Sequence, residues 1–351
     1  MASRICGLHA QLMSSAELAA WARVEGLDRG EVPKALWEDR TLVKMWAMRG
    51  TLHLLPASEL AVWQGALRTS GRYLRPAQWQ KHFGVTMEEL DRLTDAVGMA
   101  LEGRVLTREE LVREVERLTG SKAFGAKIGE SSWGTILKPA AFAGRLCFGP
   151  SVGQRVRFTR PDTWLAGTVP GNGRAMGAEA ATVEVARRFL AAYGPAADQD
   201  LARWWNGGGV TVAREWIGRL GSEACAVEVD GAPAWMLSAD AAEVRDQKPG
   251  RSVRLLPAFD PYVVGASWHA AQLLPGDLRA RVYRPQGWIS PVLLVNGRME
   301  ATWHHELRGS KVEVVIDPFV ELPKRVRKAA GEEAERLAKF LGGTLELEWK
   351  A

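Results

Sequence analysis

No stretch of this 351-residue chain approaches the ~20 uninterrupted apolar residues that a membrane-spanning helix requires. The N-terminal MASRICGLHAQ carries no charged-then-apolar leader, so a cytoplasmic protein is expected. Cysteine is scarce. Cys6, Cys147 and Cys225 lie far apart and their number is odd, which leaves neither a CxxC metal knuckle nor a disulfide framework and makes reduced, structural thiols the simplest expectation. Phosphate-cradling signatures are missing too. No G-x-x-x-x-G-K-S/T occurs, and PGNGRAMG lacks both the third glycine of G-x-G-x-x-G and a preceding buried strand. There is no G-x-S-x-G elbow. These absences set aside P-loop, dinucleotide and serine-hydrolase chemistry. His304-His305-Glu306 comes nearest to a metal cluster, but strand neighbours point to opposite faces and no fourth ligand stands near, so a polar strand end is expected and no metal.

What is present describes a folded chain. With 46% hydrophobic and 25% charged residues it is neither disordered nor collagen-like, and its length suits two or three domains. Fifteen tryptophans against four tyrosines supply large rings to bury as core or inter-domain anchors. Lysine and arginine total 46 against 41 aspartate and glutamate, a formal net charge of +5 that permits contact with a polyanion without demanding it.

The order of elements says more. Two or three helices followed by a two-stranded turn recur three times, which is how a winged helix-turn-helix is built. In the first copy Ser14 and Glu17 have capping-box spacing, predicting a helix from just after Ser14 to near Gly26. A second helix opens at Pro33 with Leu36, Leu42, Val43 and Trp46 at roughly helical spacing and a break available at Asp39 or Thr41, and RGTLHLLP reads as a short strand. In the second copy Thr107 and Glu110 cap LVREVERLTG, a helix kinks or restarts at Pro139, and Phe148 to Phe158 form a wing with GPSVG at its tip. The third copy has a helix closed by Gly194 and Pro195, a helix capped by Asp198, a break at the GGG of Gly207 to Gly209, another helix, and a hairpin turned by Asp230-Gly231.

Beyond Arg251 the hydrophobic period changes to two. RLLPAFDPYVVG, RARVYRP, WISPVLLVNGRMEATW and SKVEVVID read as strands, with Asn296-Gly297 a type I′ turn pair, followed by a helix over about 323–341 and a last strand TLELEW. Turn formers place joints at 167–177 and 246–251. The expected fold class is α+β: winged unit 1 over residues 1–80, unit 2 over 81–170, unit 3 over 171–250, and an antiparallel β-rich region with a terminal helix over 251–351.

A winged helix sets its third helix in a groove and its wing on the backbone, and Arg and Lys supply the phosphate contacts. Lys44, Arg49, Lys138, Arg145, Arg155, Arg157, Arg214 and Arg219 fall on those candidate elements. Taken singly, each reads more simply as a solvated surface charge; taken together, three such units in a basic chain point to nucleic acid. A regulator without catalysis is the rival reading. Three units in one chain without a sensor domain weigh against it, because regulators dimerise to meet two half-sites.

The segment ICGLHAQLMSSAEL carries the chemistry. Gly7 ends one turn and Ser14 caps the next helix, so His9-Ala10-Gln11 falls in the bend between them. On a helix, residues two apart diverge by roughly 200° and share no site, whereas in an extended or bent segment they converge. A His and a Gln facing one cavity can hold a water whose proton the imidazole accepts. The plainer alternative, that both side chains satisfy helix-end backbone groups, stays open on local sequence alone.

GLHAQLMSSAELAAWAR resembles the G-L-Q-A-Q opening of the alkylpurine DNA glycosylases with three tandem winged-helix units. RTLVKMWAMRGTLHLLPASEL, LLPAFDPYVVG, GWISPVLLVNGRMEATWHHEL and VIDPF match further stretches in the same order, spanning nearly the whole chain. The resemblance implies a monofunctional, monomeric enzyme, C-shaped around double-stranded DNA carrying alkylated purines, without cofactor or metal. The same resemblance implies hydrolysis of the N-glycosidic bond of N7-alkylated guanine. In that family two polar residues flanking an apolar one form the catalytic motif, Gln-apolar-Gln or Gln-apolar-Asp. His9 and Gln11 stand at those positions, with His in the first a departure that resembles a subgroup linked to self-resistance against intercalating, guanine-alkylating natural products such as the trioxacarcins. A second departure is the short leader: eight residues precede His9, where relatives usually carry an additional helix, so the first unit is trimmed or the start lies elsewhere. Same-family action on interstrand crosslinks or simple methylpurines is the alternative. Further DNA-contact candidates are Lys44, Arg49, His53, Arg298, Arg308 and Lys311, while Asp260 of FDPY reads as a turn cap.

Overall fold

The computed structural model describes residues 1–69, 76–168, 176–248, 250–265 and 270–350. Most of the joint expected at 167–177 lies outside them, as does Pro249 of the second joint. By packing, the chain forms two compact units. One gathers Met1, Leu8–Val32 and Ala239–Ala351, the other Ala2–Gly7 and Pro33–Ser238. Packing therefore cuts across chain order: the segment bearing His9 packs with the C-terminal region. Among the described residues no helix is long and apolar enough to cross a membrane.

In chain order, helices lead into a hairpin three times. The hairpins are Leu42–Trp46 with Leu52–Pro56, Cys147–Val152 with Arg155–Thr159, and Ala224–Val229 with Ala232–Leu237. The second copy follows its expected capping: Thr107 N–H donates to Glu110 at 2.7 Å and Glu110 N–H to the Thr107 hydroxyl at 3.2 Å, opening the helix Arg108–Thr119. The third hairpin pairs Val229 with Ala232, leaving Asp230 (φ 48°) and Gly231 (φ 80°) in the left-handed region a type I′ turn demands. Its unit buries Trp63, Trp204, Trp205 and Trp216 among one cluster of rings.

Two expectations in this unit are corrected. Leu42–Trp46 is a strand, not a continuation of the helix Glu31–Trp37. Arg40 adopts φ 53°, which breaks the helix, and Val43 and Met45 are buried while Lys44 is not, a period of two that outweighs the helical spacing of Leu36, Val43 and Trp46. Asp198 does not cap its helix either. The Ala197 N–H is taken by Asp200 at 2.8 Å, and Asp198 instead accepts from Arg214 (2.8 Å) and the Trp235 indole (3.0 Å).

The other unit is built on a five-stranded sheet in the order Thr344–Trp349, Lys311–Pro318, Arg298–Arg308, Val292–Val295, Val253–Leu256. Three pairings are antiparallel, and Asn296-Gly297 turns one of them at φ 49° and 85°. Contrary to expectation the last pair is parallel, because the helix Lys324–Leu341 acts as a crossover between its strands. That helix buries Val326, Ala330, Ala334, Leu337 and Ala338, a single stripe at helical spacing against the sheet core of Leu255, Val292, Val314 and Ile316. RARVYRP is not a strand. Arg279–Val282 is a helical turn that buries Val282, and Tyr283 makes a bridge, to Ile289. The second half of RLLPAFDPYVVG also turns helical over Pro261–Gly265.

Candidate active site

Backbone at Cys6 (φ 58°) and Gly7 (φ 95°) turns the chain out of a short 3-10 helix, with Gly7 N–H returning to Ala2 O at 2.8 Å. A side chain at Gly7 would meet Leu55 Cδ2 at 2.6 Å, so only glycine fits that turn. Leu8–His9 then runs extended, Ala10 is fully buried, Gln11 is half-buried, and the helix Met13–Trp21 starts two residues later. His9-Ala10-Gln11 is thus off any helix, as expected. The Ser14 cap is not formed. Leu12 is the residue before the first turn and contributes no side-chain bond, so Ser14 falls inside the helix. The helix also ends at Trp21 rather than near Gly26. Arg23 supplies a guanidinium bond to Ala19 O (3.0 Å) while its N–H bonds Ala20 O, and Arg336 holds Trp21 O at 2.9 Å with its guanidinium 3.8 Å above the Trp21 ring.

His9 is buried, 6% exposed, and its imidazole lies flat against Phe259 with centroids 5.0 Å apart and planes 11° from parallel. Phe259 sits at φ 56°, a left-handed conformation that costs a non-glycine residue roughly 1–2 kcal/mol. The next residue holds it there. Asp260 is fully buried, takes both Arg23 guanidinium nitrogens at 2.7 Å, and accepts the Tyr262 N–H at 2.9 Å. The expected turn cap is present, and the bidentate pair with Arg23 is what sequence reasoning missed. Nothing local signals a partner 237 residues away. Phe259 meets Trp288 edge to face at 5.0 Å, so a chain of rings runs from His9 to an indole that is 44% exposed.

Beside this chain of rings lies a cavity of about 730 Å³. Leu12, Ser14, Ser15, Trp288, Trp303 and His304 are among the residues that line it. His305 stacks on Trp303 at 5.6 Å, and burial, with the neighbouring His304, lowers its pKa below the usual imidazole value.

The other candidates divide by unit. Arg298, Arg308 and Lys311 lie on the C-terminal sheet with side chains more than half exposed; they pair with Glu300, with Glu306 and Glu313, and with Glu346. Lys44 stands on a strand with its ammonium 5.5 Å from the Phe148 ring centre, and burial lowers its pKa. Arg49 (φ 59°) donates to Trp204 O at 2.7 Å and to His53 Nε2 at 3.3 Å. Because a guanidinium only donates, His53 accepts there and carries its proton on Nδ1, 3.0 Å from Thr51 O. Burial pushes the Arg49 pKa down to about 10, which leaves it charged at neutral pH. Of the other basic candidates, Arg145 pairs with Asp95 and Arg219 with Glu215.

These features are shared with known proteins. Residues 2–340 match the family model for DNA glycosylase AlkZ-like proteins. The chain is 36% identical over 343 residues to the "Interstrand DNA cross-link repair glycosylase" of Streptomyces sahachiroi, an alignment covering 97% of this chain and 89% of that protein. It superposes on the solved structure of Streptomyces sahachiroi DNA glycosylase AlkZ with a TM-score of 0.89 and 35% identity, covering 99% of this chain and 92% of that one. Fold and likeness define a DNA-binding repair enzyme, a DNA glycosylase. Within that class, the chain belongs to the AlkZ-like DNA glycosylase family.

Proposed function

We propose that this glycosylase is monofunctional and excises N7-alkylated guanine carrying bulky natural-product substituents from double-stranded DNA, as a cytoplasmic monomer in a self-resistance role, without cofactor. The carrying observation is that His9-Ala10-Gln11 lies off any helix, in the extended Leu8–His9 and the bend that follows, with the imidazole stacked flat on Phe259. Off a helix, residues two apart are released from the roughly 200° divergence that would keep them from one site.

Alkylation at N7 makes the purine cationic, so it leaves without prior protonation. As the C1′–N9 bond breaks, its electron pair neutralises the ring and the sugar takes on cationic character. Water attacks C1′, and neutral His9 accepts the water's proton while Gln11 holds the water and bonds the sugar or phosphate. The products are an abasic site and the free alkylguanine. A positioned base contributes ~10²–10⁴-fold, ample for a bond already labilised and insufficient for an intact nucleotide. The leaving group therefore supplies much of the selectivity. Of the DNA-contact candidates, Arg298, Arg308 and Lys311 have the exposure to reach phosphate; Lys44, Arg49 and His53 support the first hairpin.

Incubating lesion-bearing duplex with the protein and heating in alkali reveals abasic sites as strand breaks. His9→Ala should lose about 10²–10⁴-fold in excision with DNA binding retained, and wild-type activity should decline as acid protonates the imidazole. A fully active His9→Ala refutes the assignment. The name of the Streptomyces relative supports a second reading, unhooking of interstrand crosslinks, and a crosslinked duplex in the same assay separates the two.

A further inference from the structure

We infer that the cavity beside the motif is a lesion-body site: it holds the flat, oxygen-bearing part of the alkylating compound that remains bonded to guanine N7, outside the base stack. The inference rests on the excision reading above and adds where the non-nucleotide part of the substrate goes. At about 730 Å³ the cavity lies in the range of small-molecule sites and is far roomier than the close-fitting pockets that receive a single everted base. It begins one residue past Gln11, at Leu12, so a group tethered to a nucleotide at the motif reaches it directly. Trp288, on its wall, joins His9 through Phe259 with ring spacings of 5.0 Å at each step. An indole left 44% exposed there is a ready stacking surface for a flat ring system.

The polar lining selects among such bodies. Ser14, Ser15 and Thr302 bring hydroxyls, and Arg284 and Lys350 bring positive charge. The carboxylate at the cavity, Asp317, is engaged with Arg281 at 2.7 Å. Carbonyl, phenol and sugar oxygens are suited to this set of donors, and a cationic ligand is not. A phosphate would use Arg284 and Lys350 and leave Leu12, Pro257 and Trp288 without a role.

The test uses two duplexes identical but for one guanine, alkylated at N7 by methyl or by aflatoxin epoxide, a flat, oxygen-rich electrophile. Two variants alter the cavity independently. Trp288→Ala removes the stacking surface, and Ala280→Trp fills the space from an exposed helical turn. Each should lower the ratio of kcat/KM on the aflatoxin duplex to that on the methyl duplex at least tenfold, whereas His9→Ala loses both activities. An unchanged ratio, with both substrates affected alike or not at all, overturns the lesion-body site in favour of a backbone-binding or structural role; so does wild-type enzyme that opens only the methyl duplex. If the wild type opens neither, the excision reading fails and the cavity is judged by calorimetric titration with the free aflatoxin–guanine base. Binding that Ala280→Trp abolishes supports the site, and absence of binding overturns it.

Discussion

Two half-buried arginines, one in each unit, meet the same problem with different partners. Arg23 faces a carboxylate: Asp260 takes both its terminal nitrogens at 2.7 Å and is itself wholly buried. Arg49 donates to two dipoles, the Trp204 carbonyl and the His53 imidazole. Burial pulls the Arg49 pKa down to about 10. The difference in partner accompanies a difference in task. The Arg23 pair holds a strained loop that presents an aromatic ring to the candidate catalytic imidazole, and rigid geometry there matters more than net stability, since buried ion pairs are seldom retained for energy alone. The Arg49 cluster joins the first hairpin to a carbonyl at the end of the helix Asp198–Trp205 within its own unit, a contact made through hydrogen bonds to dipoles.

Removing the acid should therefore cost most. Asp260→Ala takes the bidentate carboxylate away from Arg23 and should destabilise its unit by about 3 kcal/mol, read as a lower urea midpoint, because breaking one side of a largely buried pair exceeds the worth of the pair. Excision should fall with it, since Phe259 loses the restraint on its left-handed backbone. Asp260→Asn keeps the acceptor for the Tyr262 N–H and should fall between wild type and Ala in both readouts. Arg49→Met comes next. It removes donors rather than stranding a charge, and should cost about 1–2 kcal/mol by the same urea measurement, the worth of charge-assisted hydrogen bonds lost to two acceptors. If Arg49→Met proves as damaging as Asp260→Ala, the carboxylate is not what distinguishes the two sites.

How far each arrangement was legible follows from its range along the chain. Capping at Thr107, the Asp230-Gly231 and Asn296-Gly297 turns, and the stripe on the terminal helix all depend on residues within a few positions, and the sequence carries them openly. The placement of His9 and Gln11 off a helix was legible for the same reason, because Gly7 and the onset of the first α-helix bracket them. Leu42–Trp46 misled because a five-residue run satisfies periods of two and of 3.6 alike, and only its pairing with Leu52–Pro56 decides. Ser14 misled because spacing marks a capping box but not which residue starts the helix. Arg23–Asp260 and the Phe259 stack were invisible, since their partners are joined by tertiary packing alone.

A half-buried base on the cavity tests whether surroundings govern these sites. Burial and the adjacent His304 hold the His305 pKa below 6.5. Between 6.5 and that lower value the unfolded chain binds more protons than the folded one, so stability rises with pH across the window and falls as acid is added. His305→Gln cannot titrate and should flatten that limb, a smaller effect than either arginine-site change and confined to acid. Urea midpoints at pH 7 and pH 5.5 for both proteins measure it: the wild type should lose more on acidification than His305→Gln, with the two lying closest at pH 7. An equal acid loss in both would mean that the imidazole is not being kept neutral by its surroundings, and that the contrast between the two arginines does not extend to the wall of the cavity.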